Sequence, residues 1–183
     1  MSLSQWSFMD RAAQESVNFR AAAVEMCQWL LACLRAQYWS YQESHWQIQG
    51  WTFYGDHLLF ARLYESVQEQ VDALAEKMVA MYGEEAVDGL DLGAKFEAWI
   101  RRWNGVDCLH KRGLLSEQDF QATCKKVYDF LKGSGELTLG MDDFLMATAN
   151  EHETNEYLLR QVLRVEESAK QAAVDWAALS NKG

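Results

Sequence analysis

Apolar residues recur every three or four positions along almost the whole chain, which is the repeat of a helix that buries one face. The clearest run is Leu59, Leu63, Val67, Val71, Leu74 and Met78, and it predicts a helix from about Gly55 to Tyr82 that stops at Gly83. Before it, a stretch from roughly Ser7 to Ile48 contains Val24-Glu-Met-Cys-Gln-Trp-Leu-Leu-Ala-Cys-Leu and predicts a first long helix, with Gly50 placed to end it. A shorter helix is expected from Ala94 to Trp103, between Gly93 and Gly105. A third long helix is predicted to start near Ser116, where Ser116-Glu117-Gln118-Asp119 resembles a capping signal, and to end before Gly133. A fourth begins around Thr138 to Met141 and continues to about Leu179. Four major helices with short connections predict an all-α four-helix bundle, a single domain over residues 1–183. The short extra helix lies between helices two and three, where an up-down bundle needs a crossover.

Composition strengthens this picture. The chain has 183 residues and no proline, so nothing interrupts the long helical stretches. Apolar residues make up 49% and charged residues 24%, which excludes a disordered chain and suits one sizeable core. No apolar run is as long as a membrane span, and Met1 to Asp10 lacks a basic segment followed by an apolar one. A cytoplasmic location with no membrane partner is therefore expected. The four cysteines, Cys27, Cys33, Cys108 and Cys124, form no CxxC pair and read as buried free thiols of a reducing compartment. The net charge of −10 repels phosphate backbones and attracts metal cations. The first 25 residues hold only Arg11 and Arg20 as cations, and the C-terminal stretch only Lys170 and Lys182, so direct DNA binding is not expected.

Candidate chemistry concentrates between His45 and Glu76. His45, His57, Asp72 and Glu76 form an imidazole and carboxylate set, suited to iron, zinc or manganese. Asp72 and Glu76 stand at i and i+4, so both carboxylates face one way. His45 falls in the last turns of the first helix and His57 in the first turn of the second, so the two can meet across the connection. On one continuous helix, however, His57 and Asp72 lie about 22 Å apart, at about 1.5 Å per residue. They cannot grip one ion within one subunit. Pairing two subunits antiparallel along the second helix brings the histidines of one to the carboxylates of the other, and a two-fold axis makes two such sites. From residue types alone, a helix-end histidine and a solvated acidic face remain open beside this reading.

The stretch His45-Trp46-Gln47-Ile48-Gln49-Gly50-Trp51-Thr52-Phe53-Tyr54-Gly55-Asp56-His57 resembles the signature of the Dps-like mini-ferritins. Leu59-Phe60, Tyr64 and Asp72-Ala73-Leu74-Ala75-Glu76-Lys77 continue it. Glu151-His152-Glu153 and Tyr157-Leu158-Leu159-Arg160 are similar to the family's last helix. The resemblance implies a ferritin-like four-helix subunit, a homo-oligomeric shell of twelve, and a ferroxidase site shared between two-fold-related subunits. It implies His45 and His57 from one subunit and Asp72 and Glu76 from its neighbour as iron ligands. Family members oxidise Fe(II), usually with hydrogen peroxide and otherwise with O2, store Fe(III) mineral and protect against oxidative damage.

Two departures alter that expectation. Many relatives carry an acidic residue one turn after the second histidine, whereas this chain has Ala61 followed by Arg62, so one well-formed iron position per site is expected rather than two. Relatives that compact DNA carry lysine-rich tails, which this chain lacks. The sequence has no Glu-x-x-His, so a di-iron centre inside one bundle is disfavoured. Glu136, Asp142 and Asp143 are candidate pore residues near the start of the last helix, where acidic groups also suit the helix dipole. Trp46 and Trp51 read as packing residues, with interception of oxidising equivalents as the sharper alternative. Glu151, His152, Glu153 and Glu156 read as a solvated face, and His110 as a residue of a connecting region with no ligand set beside it in the sequence. The competing functions are a non-enzymatic scaffold, or a shell that buffers zinc or manganese in place of iron.

Overall fold

The computed structural model describes the backbone of residues 3–180 and the side chains of residues 19–164. Among the described residues there are five α-helices and no strand: α1 (Leu3–Gln47), α2 (Phe53–Tyr82), α3 (Gly89–Trp103), α4 (Leu109–Ser134) and α5 (Leu139–Ser180). A single 3-10 turn, Glu84–Val87, leads from α2 into α3. The four long helices form the predicted bundle, and α3 is the extra helix of the crossover.

Side-chain contacts give the directions. His45 meets His57 at one end of the α1–α2 pair, and Arg20 donates to the Met81 carbonyl at the other, so these helices are antiparallel. Cys124 meets the Leu145 carbonyl and Gln121 the Ala149 carbonyl, so α4 and α5 are antiparallel as well. Arg112 at the start of α4 reaches Glu43 near the end of α1, so α4 begins where α2 begins. The crossover must return along the bundle to allow this. It does so through α3, which lies along α1 with Lys95 against Glu25 and the Trp99 indole donating to the Trp29 carbonyl.

Each helix turns one stripe inward. On α2 this is Phe60, Leu63, Val67, Gln70, Leu74 and Met78, with the expected spacing of three and four. On α4 it is Gly113, Ser116, Glu117, Phe120, Cys124, Val127 and Leu131. Gly113 is needed for close approach, because a Cβ there would stand 3.3 Å from the Leu159 methyls and 3.5 Å from the Tyr41 ring.

The boundaries differ from expectation mainly at α4. It starts at Leu109, a full two turns before Ser116, and continues through Gly133. Ser116 is not a cap: its hydroxyl bonds back to the Gly113 carbonyl inside the helix. The stop is Gly135, whose left-handed φ of 77° lets its N–H reach the last carbonyls. The crossover helix also starts earlier than Ala94, because Asp88 caps it by accepting from the N–H groups of Leu90 and Asp91.

All four cysteines are free thiols; Cys27, Cys33 and Cys124 are buried, whereas Cys108 is partly exposed. Burial pushes Cys27 up to about 12 and Cys124 up to about 11 from a usual value near 9, and holds Cys33 well above it. As pH rises past about 9, the unfolded chain loses these protons while the folded chain keeps them, so stability must fall. Each thiol contributes a slope of about 1.4 kcal/mol per pH unit until its folded value is reached. Urea unfolding at a series of pH values should show this loss beginning above about pH 9. A thiol-specific reagent at about pH 8 should label Cys108 quickly and the other three only on unfolding.

Candidate metal centre

The histidines predicted to meet do meet. His45 lies in the last turn of α1 and His57 in the second turn of α2, with residues 48–52 reversing the chain between them. The His45 Nδ1 is 2.9 Å from the His57 carbonyl, and the His57 Nδ1 is 3.0 Å from the His45 carbonyl. A carbonyl oxygen only accepts, so both Nδ1 atoms donate, and each Nε2 is left with the lone pair that binds a metal. The exchange has a local cause: carbonyls in the last turn of a helix lack an intrahelical partner, and His57 supplies one. The rings stack, with centroids 3.6 Å apart and planes inclined by 22°. Phe53 stacks on the outer face of His57 at 5.0 Å, and Tyr64 sets its edge against His45 at 5.4 Å. Aromatic walls thus fix both rings.

Stacking has a coordination consequence. A metal lies near the plane of the imidazole that binds it. Two rings stacked at 3.6 Å present their lone pairs in two neighbouring planes. The pair therefore suits two adjacent ions, or one ion held by one ring, better than one ion held equally by both.

Asp72 and Glu76 are not brought to the histidines. Both are exposed, on a helix that runs unbroken from Phe53 to Tyr82. The helical rise sets Asp72 about 22 Å and Glu76 about 28 Å from His57 along the axis. Among the described residues, no three of His, Cys, Asp and Glu gather to hold an ion.

Other expected residues change character. Trp46 is 60% exposed and Trp51 fully exposed at 101%, so neither packs in the core of the bundle. Trp46 sets its ring edge-on to Trp39 at 6.2 Å. Glu136 follows Gly135, and Asp142 and Asp143 open α5; Asp143 is exposed, and the other two are half-buried. His110 is not a connecting residue. It lies in the first turn of α4, buried, with its Nε2 3.3 Å from the Asp56 carboxylate.

The largest correction concerns His152, which is fully buried and not part of a solvated face. Its Nδ1 is 2.5 Å from Glu117, also fully buried, and its Nε2 is 2.8 Å from the Gln70 side-chain oxygen. Gln70 in turn donates to Glu151, which also receives the Ser66 hydroxyl. Tyr41 donates to the other Glu117 oxygen at 2.5 Å and lies 3.0 Å from Ser116. Phe120 stacks on the His152 ring at 3.7 Å. All four long helices contribute at least one polar group to this layer. Burial and the adjacent Glu117 carboxylate hold the Tyr41 phenol well above its usual range, so it stays a donor. With one fully buried carboxylate and donors that satisfy one another, this layer does not fit a two-iron carboxylate centre. The signal was present in the sequence: Glu117, His152, Gln70 and Tyr41 each occupy an apolar-stripe position on their helix.

No family model matches this chain, and no curated protein does. Solved structures do match. DpsC from Streptomyces coelicolor superposes with a TM-score of 0.69 at 21% identity, over 80% of this chain and 86% of that one. A dodecameric thioferritin, the bacterioferritin-related protein of Bacteroides fragilis, gives 0.68 at 16% identity, over 87% and 98%. The Dps protein of Vibrio cholerae O1, described as one of the ferritin-like diiron-carboxylate proteins, gives 0.62 at 18%, over 80% and 91%. The fold is the ferritin-like four-helix bundle of the Dps proteins.

Removing one member of the buried pair isolates the other. Glu117→Leu or His152→Leu alone should cost about 3–5 kcal/mol, whereas the double replacement should recover most of the loss. Urea unfolding of the three variants measures this coupling.

Proposed function

We propose that this chain, built on the Dps-type fold, is the subunit of a homo-oligomeric shell that oxidises Fe(II) at sites shared between two subunits and stores the Fe(III) product. The observation that carries this reading is the divided donor set. His45 and His57 are locked together with Nε2 available, while Asp72 and Glu76 stand exposed about 22 Å or more away on a rigid helix. Antiparallel pairing of two α2 helices unites one chain's imidazoles with the other's carboxylates. The exposed apolar groups near the histidines, Trp39, Trp46, Trp51, Tyr54 and Leu58, suit burial against a neighbour.

Iron is the substrate here. The Asp72 and Glu76 carboxylates favour Fe(III) over Fe(II), and the imidazoles hold Fe(II) without the grip of thiolates. Two Fe(II) ions give one electron each to hydrogen peroxide. Its O–O bond breaks, and with two protons it leaves as two waters, so no hydroxyl radical is released; O2 is the alternative oxidant. The stacked rings allow two neighbouring ions, but only Ala61 stands where the position beside His57 would gain a carboxylate. The His45 position is therefore the stronger one. The net charge of −10 draws cations towards the shell, and Glu136, Asp142 and Asp143 are the proposed lining of its entry pores. Zinc or manganese suits the same donors, in which case the shell buffers metal without turnover. A cytoplasmic location and no direct contact with DNA complete the proposal.

Twelve chains of 21.1 kDa give a particle of about 250 kDa, which light scattering would detect. Fe(II) oxidation by peroxide, followed by Fe(III) absorbance, should fall about tenfold or more in His45→Ala and in Asp72→Ala. Subunits lacking both histidines, mixed with subunits lacking both carboxylates, should regain part of that activity. No recovery in mixed shells of normal size would overturn the shared site. Zinc or manganese binding without iron oxidation would favour the buffer.

A further inference from the structure

Two polar contacts, one buried and one partly buried, reach from the first turn of α4 to the two segments that carry the histidines. Arg112, 8% exposed, places Nη1 3.4 Å from Glu43, two residues before His45. The other Glu43 oxygen accepts from Gln47, so this carboxylate is held from both sides. Arg112 is itself fixed by donating from Nε to the Val106 carbonyl. Two residues earlier, His110 places Nε2 3.3 Å from Asp56, the residue before His57, and the two are 4% and 5% exposed. Phe60 stacks on the His110 ring at 5.4 Å and closes that contact from the core side.

We propose that Arg112 and His110 form a clamp that sets the distance between the two histidine-bearing segments: one takes Glu43 on α1, the other Asp56 on α2. The need for it is physical. His45 and His57 meet where α1 ends and α2 begins, and helix ends fray. Their mutual hydrogen bonds tie each ring to the other's backbone but tie neither to the body of the bundle. The α4 turn supplies that anchor twice, within one helical turn: the Arg112 guanidinium faces the Glu43 carboxylate and the His110 ring nitrogen faces that of Asp56. Neither Arg112 nor His110 is proposed to touch the metal. They are positioning residues, and the clamp rests on the metal-site reading only for its use, not for its existence.

Glu43→Gln and Asp56→Asn remove the charges with little change of shape. In the metal-free protein, hydrogen exchange of the backbone amides over residues 45–57 should quicken about tenfold in the double variant, while the α4 core around residues 117–131 keeps its protection. Uniform loss of protection would mean general unfolding; the single variant Glu43→Gln then decides, because Glu43 is partly exposed and its replacement is mild. Unchanged exchange at 45–57 in that folded variant, or in the double one, would overturn the clamp. Arg112→Lys should keep most of the protection that Arg112→Gln loses. Co(II) serves as the second probe. Its visible absorption reports imidazole binding, and its affinity should fall about tenfold in the double variant. His45→Ala is the control that separates the two ideas: if it leaves the Co(II) spectrum unchanged the metal reading fails, and the exchange data still judge the clamp.

Discussion

A helix cannot fold back on itself, and that limit organises this molecule. From Phe53 to Tyr82 α2 is one rod, with His57 near one end and Asp72 and Glu76 more than halfway along it. No side-chain rotation closes about 22 Å. In the proposed site these four residues meet only through a second copy of the chain, which would couple metal binding to assembly. A bundle able to gather its donors internally would need no partner. This one spends its interior on something else.

That interior is a hydrogen-bonded layer in which Glu117, His152, Gln70 and Tyr41 satisfy one another across all four long helices. Buried ionisable groups are a weak source of net stability, because desolvation offsets their attraction. They are strict about arrangement, since a shifted helix would strand a polar group away from water. The layer thus fixes the relative register of the helices, while the surrounding Leu, Val and Phe stripe supplies the hydrophobic drive.

The histidine end shows how local geometry becomes site geometry. The chain reverses over five residues, which brings His45 and His57 together, and the His45 carbonyl, in the last turn of α1, gives the His57 Nδ1 a place to donate, while the His45 Nδ1 donates to the His57 carbonyl. The outcome is tautomer control: each ring presents Nε2 as its basic atom. The α4 turn then ties this end to the bundle from the side, through groups fifty or more residues away in the chain.

The apolar period, the absence of proline and the glycines at 50 and 83 were enough to place four long helices and a crossover helix. The spacing from His45 to Glu76 was enough to show that the two histidines and the two carboxylates stand far apart along a helix. These are local properties, governed by a repeat of 3.6 residues and a rise of about 1.5 Å. The same logic failed at Ser116 and at His152. A cap sequence inside a long helix looks like a helix start, and a histidine among glutamates looks like a solvated face, until packing decides which side is buried. Likewise, nothing near His110 in the chain announces Asp56, and nothing near Arg112 announces Glu43. Partners that lie far apart in sequence are chosen by how the helices dock, so the helices and the divided donors belong to the sequence, whereas the buried polar layer, the stacked rings and their clamp exist only in the tertiary structure.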